Sequence, residues 1–316
     1  MLAVTGSIER LCSPAIWAEG PVWLADQQCL IFSDVKGNRM FRWDAQNGVS
    51  VFRAESHFAN GNARDLQGRL LTCEHGRRGI SRTDAAGNHT LLVDKVDGLR
   101  FNSPNDIAVR QDGSIWFTDP PYGIVGDEEG YRAASQVIGC YVYRFDEARH
   151  QVAIAISDTQ RPNGLAFSPD DKWLYVADMS VIDFPSQGRR EIRAYRLEGD
   201  NALFSHVVTQ VKPGIPDGFC VDQDGNIYCS CETGILIFSV AGELLDTIAV
   251  PERVSNCTFG GPDGNALFYY GDDIAVPGDL HPVPPSGINQ NHTDTHRSCR
   301  RVFATRHYLV ESHSTM

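Results

Sequence analysis

Six oxygen-bearing side chains recur along the chain, each at the start of a short apolar segment. The segments are EGPVW from Glu19, NGNAR from Asn60, NDIAV from Asn105, NGLAF from Asn163, DGFCV from Asp217 and NCTFG from Asn256. Two carboxylates and four amide oxygens are the donors that hard divalent cations such as Ca²⁺ prefer. One Asn or Asp before Gly is more often a turn former, but six in register favour a metal site. The pattern therefore predicts a divalent cation held by a ring of these side chains.

These six residues alternate with six copies of a second repeat, a tight polar turn followed by an alternating apolar strand. The copies are WLADQQCLIFSD (23–34), DLQGRLLTCEH (65–75), RQDGSIWFTD (110–119), SPDDKWLYVAD (168–178), DQDGNIYCSC (222–231) and GPDGNALFYY (261–270). A turn and strand of this kind is typical of a β-hairpin, and a spacing of roughly 40 to 55 residues fits one blade of a β-propeller. We therefore predict an all-β fold, a six-bladed β-propeller with a divalent metal on the central axis. The first strand of each blade would line the channel and bring the six residues together.

The second strand of each blade returns to the face where the first strand begins, so its end and the loop after it should lie over the ring. We therefore expect four residues on the metal-bearing face, namely His75, Asp119, Tyr122 and Asp178. The loop 119–135 contains three glycines and is a candidate lid. His75 is interpreted as a general base, a substrate donor or a hydrogen-bonded structural histidine. Asp119 and Asp178 are interpreted as rim residues or as strand ends.

The motifs AEGPVW, FNSPNDIAV, FTDPPYG, RPNGLAFSPD, DGFCVDQDGNIY and SNCTFGG resemble the gluconolactonase branch of the SMP-30/gluconolactonase/luciferin-regenerating-enzyme family. The resemblance covers roughly the first 270 residues. It implies a six-bladed propeller with a divalent metal on the axis that hydrolyses sugar lactones. By position it implies metal ligands at Glu19, Asn163 and Asp217, and a metal or substrate contact at Asn105. Ser103 stands where animal members have an arginine, so that arginine's substrate contact is not carried over.

A cation at the ring would polarise a lactone carbonyl and stabilise the oxyanion that forms when water attacks. Asp217 is the candidate general base, and the cation would lower its pKa, which favours ionisation but weakens basicity. A metal-bound water that is already partly deprotonated is the rival nucleophile, and the sequence leaves both open. The predicted substrate contacts are Asn60, Asn105, Asn256, His75, Asp119 and Tyr122. One Ca²⁺ is the expected cofactor, with Zn²⁺, Mn²⁺ and Mg²⁺ as alternatives.

Length and charge restrict the class of protein. The chain has 316 residues and a formal net charge of −12, and a closed ring of blades forms one domain despite that length. The acidic balance argues against nucleic acid or an anionic membrane as a partner. No apolar stretch approaches the ~18 residues of a membrane span, and no signal-peptide core is present, so we predict a cytoplasmic protein with a small-molecule sugar lactone as its partner. The nine cysteines lack metal-type spacing and are predicted to be reduced.

The segment after Tyr270 breaks the repeat. Five blades have a third strand after the hairpin, whereas the final segment is polar, histidine-rich and without alternation. We therefore divide the chain into a propeller at 1–270 and an atypical tail at 271–316, and predict an incomplete sixth blade with an unpaired edge. An N-terminal strand around 8–11 would then lack its docking edge. One hypothesis is a shifted reading frame, because 271–277 can be encoded so that the next frame reads Ala-Thr-Thr-Ser-Leu-Tyr-Arg; a natural disordered tail is the alternative.

Two other functions share this pattern of residues. A metal-dependent phosphotriesterase or arylesterase would use the same oxygen ring, because neither the fold nor the metal selects the electrophile. A non-catalytic calcium-binding propeller is the third interpretation. Paired carboxylates beside a candidate lid argue against a pure binding scaffold, so hydrolysis of sugar lactones is the predicted function.

Overall fold

The computed structural model describes residues 8–250 and 252–271, and the backbone of 300–306. Most of this part of the chain is antiparallel β-structure, arranged as six four-stranded sheets and a small two-stranded ribbon. In the first five sheets the strands follow one another in chain order. The all-β fold predicted from the hairpin repeats is therefore confirmed.

The strands are numbered in chain order, beginning with β1 (Ile8–Ala15). Sheet one contains β2 (Ala18–Leu24), β3 (Cys29–Asp34), β4 (Arg39–Asp44) and β5 (Gly48–Arg53). Sheet two contains β6 (Ala59–Arg64), β7 (Leu70–Glu74), β8 (Gly79–Thr83) and β9 (His89–Val93), and the ribbon that follows is β10 (Lys95–Val96) and β11 (Leu99–Arg100). Sheet three contains β12 (Ile107–Val109), β13 (Ile115–Thr118), β14 (Val142–Asp146) and β15 (Gln151–Ile156), with helix α1 (Tyr122–Val125) after its second strand.

Sheet four contains β16 (Pro162–Phe167), β17 (Trp173–Asp178), β18 (Glu191–Glu198) and β19 (Asn201–Gln210), with a 3₁₀ turn at Ser180–Ile182. Sheet five contains β20 (Phe219–Val221), β21 (Ile227–Cys231), β22 (Gly234–Phe238) and β23 (Leu244–Ala249). Sheet six contains β24 (Val254–Gly260), β25 (Ala266–Gly271) and β26 (Arg300–Arg306), and takes β1 as its outermost strand. Within the described ranges, no helix has the length and apolar character to cross a membrane.

Local turn chemistry sets the register of the hairpins. Gly113 and Gly225 have φ angles of 87° and 86°, a conformation that residues with a Cβ adopt at a cost. In the second of these turns, Asp222 Oδ1 accepts the N–H of Asn226 at 2.8 Å. An aspartate that accepts a nearby backbone N–H, followed by a glycine, stabilises a tight turn. The polar turns read from the sequence therefore connect the first and second strands of their sheets.

The apolar core lies between neighbouring sheets. Each neighbouring pair of sheets contributes to one buried cluster, and the series includes a cluster shared by sheets six and one. In that last cluster the ring of Trp23 stacks on Phe268 with centroids 5.3 Å apart. The rings of Phe32 and Tyr270 are also 5.3 Å apart. The first and last sheets therefore pack on each other as the intervening sheets do, which is the arrangement of a β-propeller.

The prediction of an incomplete sixth sheet is wrong. Strand β26 pairs with β25 along 266–271, and β1 pairs with the other edge of β26. The missing third strand is supplied by 300–306, which was overlooked because it does not follow β25 after a short turn. The N-terminal strand therefore has its docking edge. Residues 272–299 and 307–316, to which most of the reading-frame and disordered-tail hypotheses refer, lie outside the described residues.

Candidate active site

All six ring residues are buried at the starts of the innermost strands. Their exposed fractions lie between 4 and 8 %, low values for carboxylate and amide side chains. The innermost strands contact one another in a cyclic order, in which that of sheet six contacts that of sheet one. The ring residues are Glu19, Asn60, Asn105, Asn163, Asp217 and Asn256.

Glycines allow the innermost strands of neighbouring sheets to approach closely at the ring. A Cβ on Gly20 would overlap the carbonyl oxygen of Asn60, and a Cβ on Gly164 would lie 2.6 Å from that of Asp217. Four of the six ring residues are followed by glycine, so these positions permit close approach to the next sheet. The glycines that follow these ring residues are therefore packing positions.

Hydrogen bonds from side-chain hydroxyls to backbone carbonyls of the next sheet support the ring. Ser33 Oγ donates to Asn60 O at 2.7 Å, and Thr118 Oγ1 donates to Asn163 O at 2.8 Å. The circuit closes where Ser255 Oγ of sheet six donates to Ala18 O of sheet one at 2.9 Å. These bonds occupy carbonyls at the ring and so fix the backbone that carries the side chains.

Acidic residues at the ends of second strands position the segments that lead to the ring. Asp34 Oδ1 accepts the N–H groups of Ile16 and Trp17, both at 2.9 Å, just before Glu19. The same geometry recurs at Asp178, which accepts the N–H groups of Gln160 and Arg161, and at Glu232, which accepts that of Ile215. In each case the bonded N–H lies two or three residues before a ring residue. The structure thus places Asp178 beneath a ring segment, at the end of its strand.

Asp119 belongs to this set of acidic residues. Its Oδ2 and Oδ1 accept the N–H groups of Asn102 and Ser103, each at 2.8 Å, and its side chain is fully buried. Burial raises the pKa of Asp119 to about 7, although the two backbone N–H groups oppose the shift. Both oxygens therefore hold the segment that precedes Asn105. Asp119 therefore positions a backbone segment, whereas the sequence predicted that it contacts the substrate.

Asp217 lies close to the guanidinium of Arg253, and its charge acts on the hydroxyl of Tyr122. Arg253 Nη2 is 3.4 Å from Asp217 Oδ2. The hydroxyl of Tyr122 is buried and has no hydrogen-bond partner within the described part of the chain. Burial, and to a smaller extent the charge of Asp217, raises the pKa of Tyr122 well above its ordinary value. Tyr122 therefore carries a buried hydroxyl on which the charge of Asp217 acts. Arg253 was missed because no motif marks it.

Asp106 is a second acidic group that the sequence reasoning missed. It directly follows Asn105, at a position where four of the other ring segments have glycine. This difference between the repeats could have identified Asp106 from the sequence. Its carboxylate accepts the N–H of Ile107 at 2.9 Å and also interacts with Asn256. Burial raises the pKa of Asp106 to about 7, with a smaller contribution from the charge of Asp217. Asp106 lines a cavity of about 270 Å³ bordered by the innermost strands.

His75 connects the ring to the candidate lid. Asn60 Nδ2 lies 3.2 Å from His75 Nε2, and His75 Nδ1 lies 2.9 Å from the carbonyl oxygen of Glu129. Burial lowers the pKa of His75 to about 4, so its imidazole is neutral near pH 7. Asn60 then donates to Nε2 and Nδ1–H donates to Glu129. This bonding favours the structural interpretation of His75 over a general base.

The loop 119–135 packs over His75. A Cβ on Gly123 would lie 2.5 Å from His75 Cβ, so this glycine permits the close approach. Lys36 Nζ reaches the carboxylates of Glu128 and Glu129 at 3.6 and 3.5 Å from sheet one. Ion pairs that remain accessible to solvent contribute little stability. The loop is therefore held by buried contacts, the bond from His75 to Glu129 O and those of Ser103 Oγ, which donates to Pro120 O and accepts the N–H of Gly123.

The donor set fits a hard divalent cation. Within the described ranges no three His, Cys, Asp or Glu residues form a metal cluster by themselves, so a cation here would need amide oxygens as well as carboxylates. Asn163 Nδ2 is 2.8 Å from Met179 Sδ, which turns the amide oxygen away from Met179. Glu19 and Asp217 add two negative charges. Mixed carboxylate and amide ligation is typical of Ca²⁺ sites.

A larger cavity lies away from the ring. Its volume is about 600 Å³, and it is bordered by turns of sheets two and three, where arginines alternate with acidic residues. Arg82 and Arg144 within it form ion pairs with Asp65 and Asp200. No ring residue borders this cavity. The chemistry of the ring is therefore the better guide to the active site than cavity size.

The fold and the buried ring define an all-β propeller with a polar site at the starts of its innermost strands. Residues 17–269 match the family described as SMP-30/Gluconolactonase/LRE-like region. This match covers more than half of the chain, and the protein therefore belongs to that family. The family predicted from the sequence motifs is confirmed.

Individual relatives agree with this assignment. A gluconolactonase of Zymomonas mobilis is 33% identical over 295 residues, which cover 85% of this chain and 80% of the relative. A solved structure of a gluconolactonase from Xanthomonas campestris is 35% identical, has a TM-score of 0.79, and covers 95% of this chain and 90% of its own. A regucalcin of Xenopus laevis is 25% identical over 265 residues, with 79% of this chain and 81% of the relative covered.

Proposed function

We propose that this protein is a metal-dependent hydrolase of sugar lactones, in which the six sheets are blades around one axis and a divalent cation binds at the ring. The observation that carries the proposal is the closed ring of buried carboxylate and amide side chains. Relatives named gluconolactonase support the reaction class, the hydrolysis of a cyclic ester. The substrate is a small molecule.

Glu19, Asn163 and Asp217 hold the cation, and Asn105 completes the ligand set or contacts the substrate. Ca²⁺ is the preferred ion because the donors are all oxygen, and Zn²⁺, Mn²⁺ and Mg²⁺ are the alternatives. When bound, the cation supplies electrostatic stabilisation of the negative charge that develops on the lactone carbonyl oxygen.

The residues of the chain bind the lactone and move a proton. Asp217 accepts a proton from the attacking water through a carboxylate oxygen, and Arg253 holds that carboxylate in orientation. The buried hydroxyl of Tyr122 donates to an oxygen of the substrate, which gives this group the partner that it lacks among the described residues. Asn60 and Asn256 orient sugar hydroxyls. The substrate-contacting role predicted for His75 and Asp119 becomes one of fixing the surrounding segments.

The experiment is proton release from D-glucono-1,5-lactone in weak buffer, corrected for spontaneous hydrolysis. Protein stripped with EDTA should lose turnover and recover it with Ca²⁺, and the order of activity with Mn²⁺, Mg²⁺ and Zn²⁺ would rank the metals. Asp217→Asn should lower kcat by at least 100-fold if it is the base. Asp224→Asn, which changes an exposed turn residue, is the matched control and should keep full activity.

Two results would contradict the proposal. Folded, metal-loaded protein that leaves several sugar lactones intact but hydrolyses a phosphotriester or an aryl ester would favour those substrates instead. Folded protein that binds calcium and hydrolyses none of these esters would favour a binding scaffold. Undiminished turnover by Asp217→Asn would overturn the assignment of the base without affecting the substrate class.

A further inference from the structure

Two cysteines from neighbouring sheets meet beside the ring. Cys220 of β20 and Cys257 of β24 have Sγ atoms 3.7 Å apart, which is van der Waals contact between sulfurs. The backbones are joined two residues earlier, where Gly218 N, directly before β20, donates to Ser255 O of β24 at 2.8 Å. Because side chains two residues apart point to the same face of a strand, this register brings the two thiols together.

The surroundings of the two sulfurs differ from those of the other nearby thiols. Both Cys220 and Cys257 border the cavity of about 270 Å³, which has room for a small oxidant. Cys220 is half-buried and Cys257 is 3% exposed. Cys229 and Cys231, although close in sequence, direct their sulfurs to Ser230 O and Thr233 Oγ1 instead. Among these four cysteines, Cys220 and Cys257 are therefore the two whose sulfurs contact each other.

We propose that Cys220 and Cys257 form an oxidisable dithiol site that closes to a disulfide in the presence of a peroxide. The first thiolate attacks the peroxide, which breaks the O–O bond and gives a sulfenic acid and water. The second thiol then displaces the hydroxyl group as a second water, and the S–S bond forms. Two thiol sulfurs are oxidised and the two peroxide oxygens are reduced, so atoms and electrons balance.

The cross-link would join the innermost strands of sheets five and six next to the ring. Cys257 directly follows Asn256, and Cys220 lies three residues after Asp217. A disulfide here restrains the separation of these two ring segments. Burial raises the pKa of Cys220 well above its ordinary value, so the reaction is slow at neutral pH and accelerates as the pH rises.

The test is treatment of the full-length native protein with hydrogen peroxide, followed by alkylation of the remaining thiols, digestion without reductant and mass spectrometry. The expected product is one species that joins the peptides containing Cys220 and Cys257 with the loss of two hydrogens, and reductant should separate it. The far-UV circular dichroism spectrum is recorded before digestion to establish that the oxidised protein is folded.

Matched variants separate this pair from the other cysteines. Cys220→Ser and Cys257→Ala should each abolish the cross-link, whereas Cys12→Ser, which changes a half-buried cysteine on β1, should retain it. Recovery of both cysteines as alkylated peptides or as sulfinic acids from folded oxidised protein would overturn the proposal. A disulfide from either cysteine to a different thiol, or a cross-link seen solely in unfolded protein, would overturn it as well.

Discussion

At the ring positions the side chain and the backbone have separate tasks. The carbonyls of Asn60 and Asn163 accept hydrogen bonds from hydroxyls of the preceding sheet, and this bonding does not involve a ligand. The oxygens of the side chains are therefore presented from a backbone that is already fixed. Donors held in this way lose less conformational freedom when a cation or substrate binds.

Glu19→Gln tests the charge at one ring position. The amide has nearly the same size as the carboxylate but removes one of the two negative charges proposed to bind the cation. We expect the affinity for Ca²⁺ to fall by at least about 10-fold. The fraction of chelator-stripped protein that binds Ca²⁺ should fall most at low metal concentration. Isothermal titration calorimetry of stripped protein measures this affinity.

Glu243→Gln provides the comparison for this variant. Glu243 is an exposed carboxylate in the turn between β22 and β23, so its neutralisation changes the net charge equally without touching the ring. Its affinity for Ca²⁺ should stay within about twofold of wild type. Equal affinities for the two variants would show that Glu19 does not hold the cation.

Tyr122→Phe tests the buried hydroxyl that has no protein partner among the described residues. Removal of an unsatisfied buried polar group is neutral or stabilising, so the free energy of unfolding should stay the same or rise by up to about 1 kcal/mol. The substrate should lose one hydrogen bond, and kcat/KM should fall by roughly 10-fold. Urea unfolding and initial rates provide the two measurements. A variant that is less stable and fully active would place the hydroxyl outside the substrate site.

The acidic residues at the ends of second strands link individual side chains to the arrangement of the strands. Asp34, Asp119 and Asp178 each hold the segment before a ring residue through backbone N–H groups. Their strands could be predicted because hairpin turns depend on residues close in sequence. Their partners could not, since an N–H that lies 16 to 18 residues away leaves no local pattern.

Two other features show the same limit of prediction. The contact between Arg253 and Asp217 joins the segments that lead into two different sheets. The sequence supplies the residue types but not their juxtaposition. Strand β26 pairs with β25 across the segment 272–299, so its place depends on register and not on a turn. The ring itself could be predicted because its six members repeat at one fixed position in each unit.

Asp119→Asn tests a segment held by a buried carboxyl. A carboxyl whose pKa is raised on folding stabilises the fold below its unfolded pKa of about 3.9, and this contribution is lost as the pH rises through about 7. The asparagine does not titrate. The stability advantage of wild type over the variant should therefore shrink by about 1.4 kcal/mol between pH 6 and pH 8.

Urea unfolding of both proteins at pH 6, 7 and 8 measures this change. Asp224→Asn, which alters an exposed carboxyl, should track wild type throughout the series. An advantage that grows with pH would mean that the two N–H bonds from Asn102 and Ser103 stabilise the ionised carboxylate more than burial penalises it.

The whole molecule is closed by strands from its two ends. Sheet six takes β24 and β25 from the last repeat, β26 from 300–306, and β1 as its outer strand. Residues that are far apart in sequence therefore meet in one sheet, and the cluster between sheets six and one joins the beginning of the repeat to its end. Loss of this pairing would expose two strand edges at once.

A chain that ends at Gly271 tests this closure. It lacks β26, so the backbone groups of β25 and β1 that pair with that strand lose their partners. We expect a loss of at least about 3 kcal/mol of stability, or roughly 6 to 12 °C in Tm. A chain that ends at Arg306 keeps β26 and is the control. Because all six ring residues precede Gly271, the folded fraction of the shorter chain should still bind Ca²⁺. Equal melting temperatures for the two truncated chains would mean that 300–306 does not close the sheet in solution.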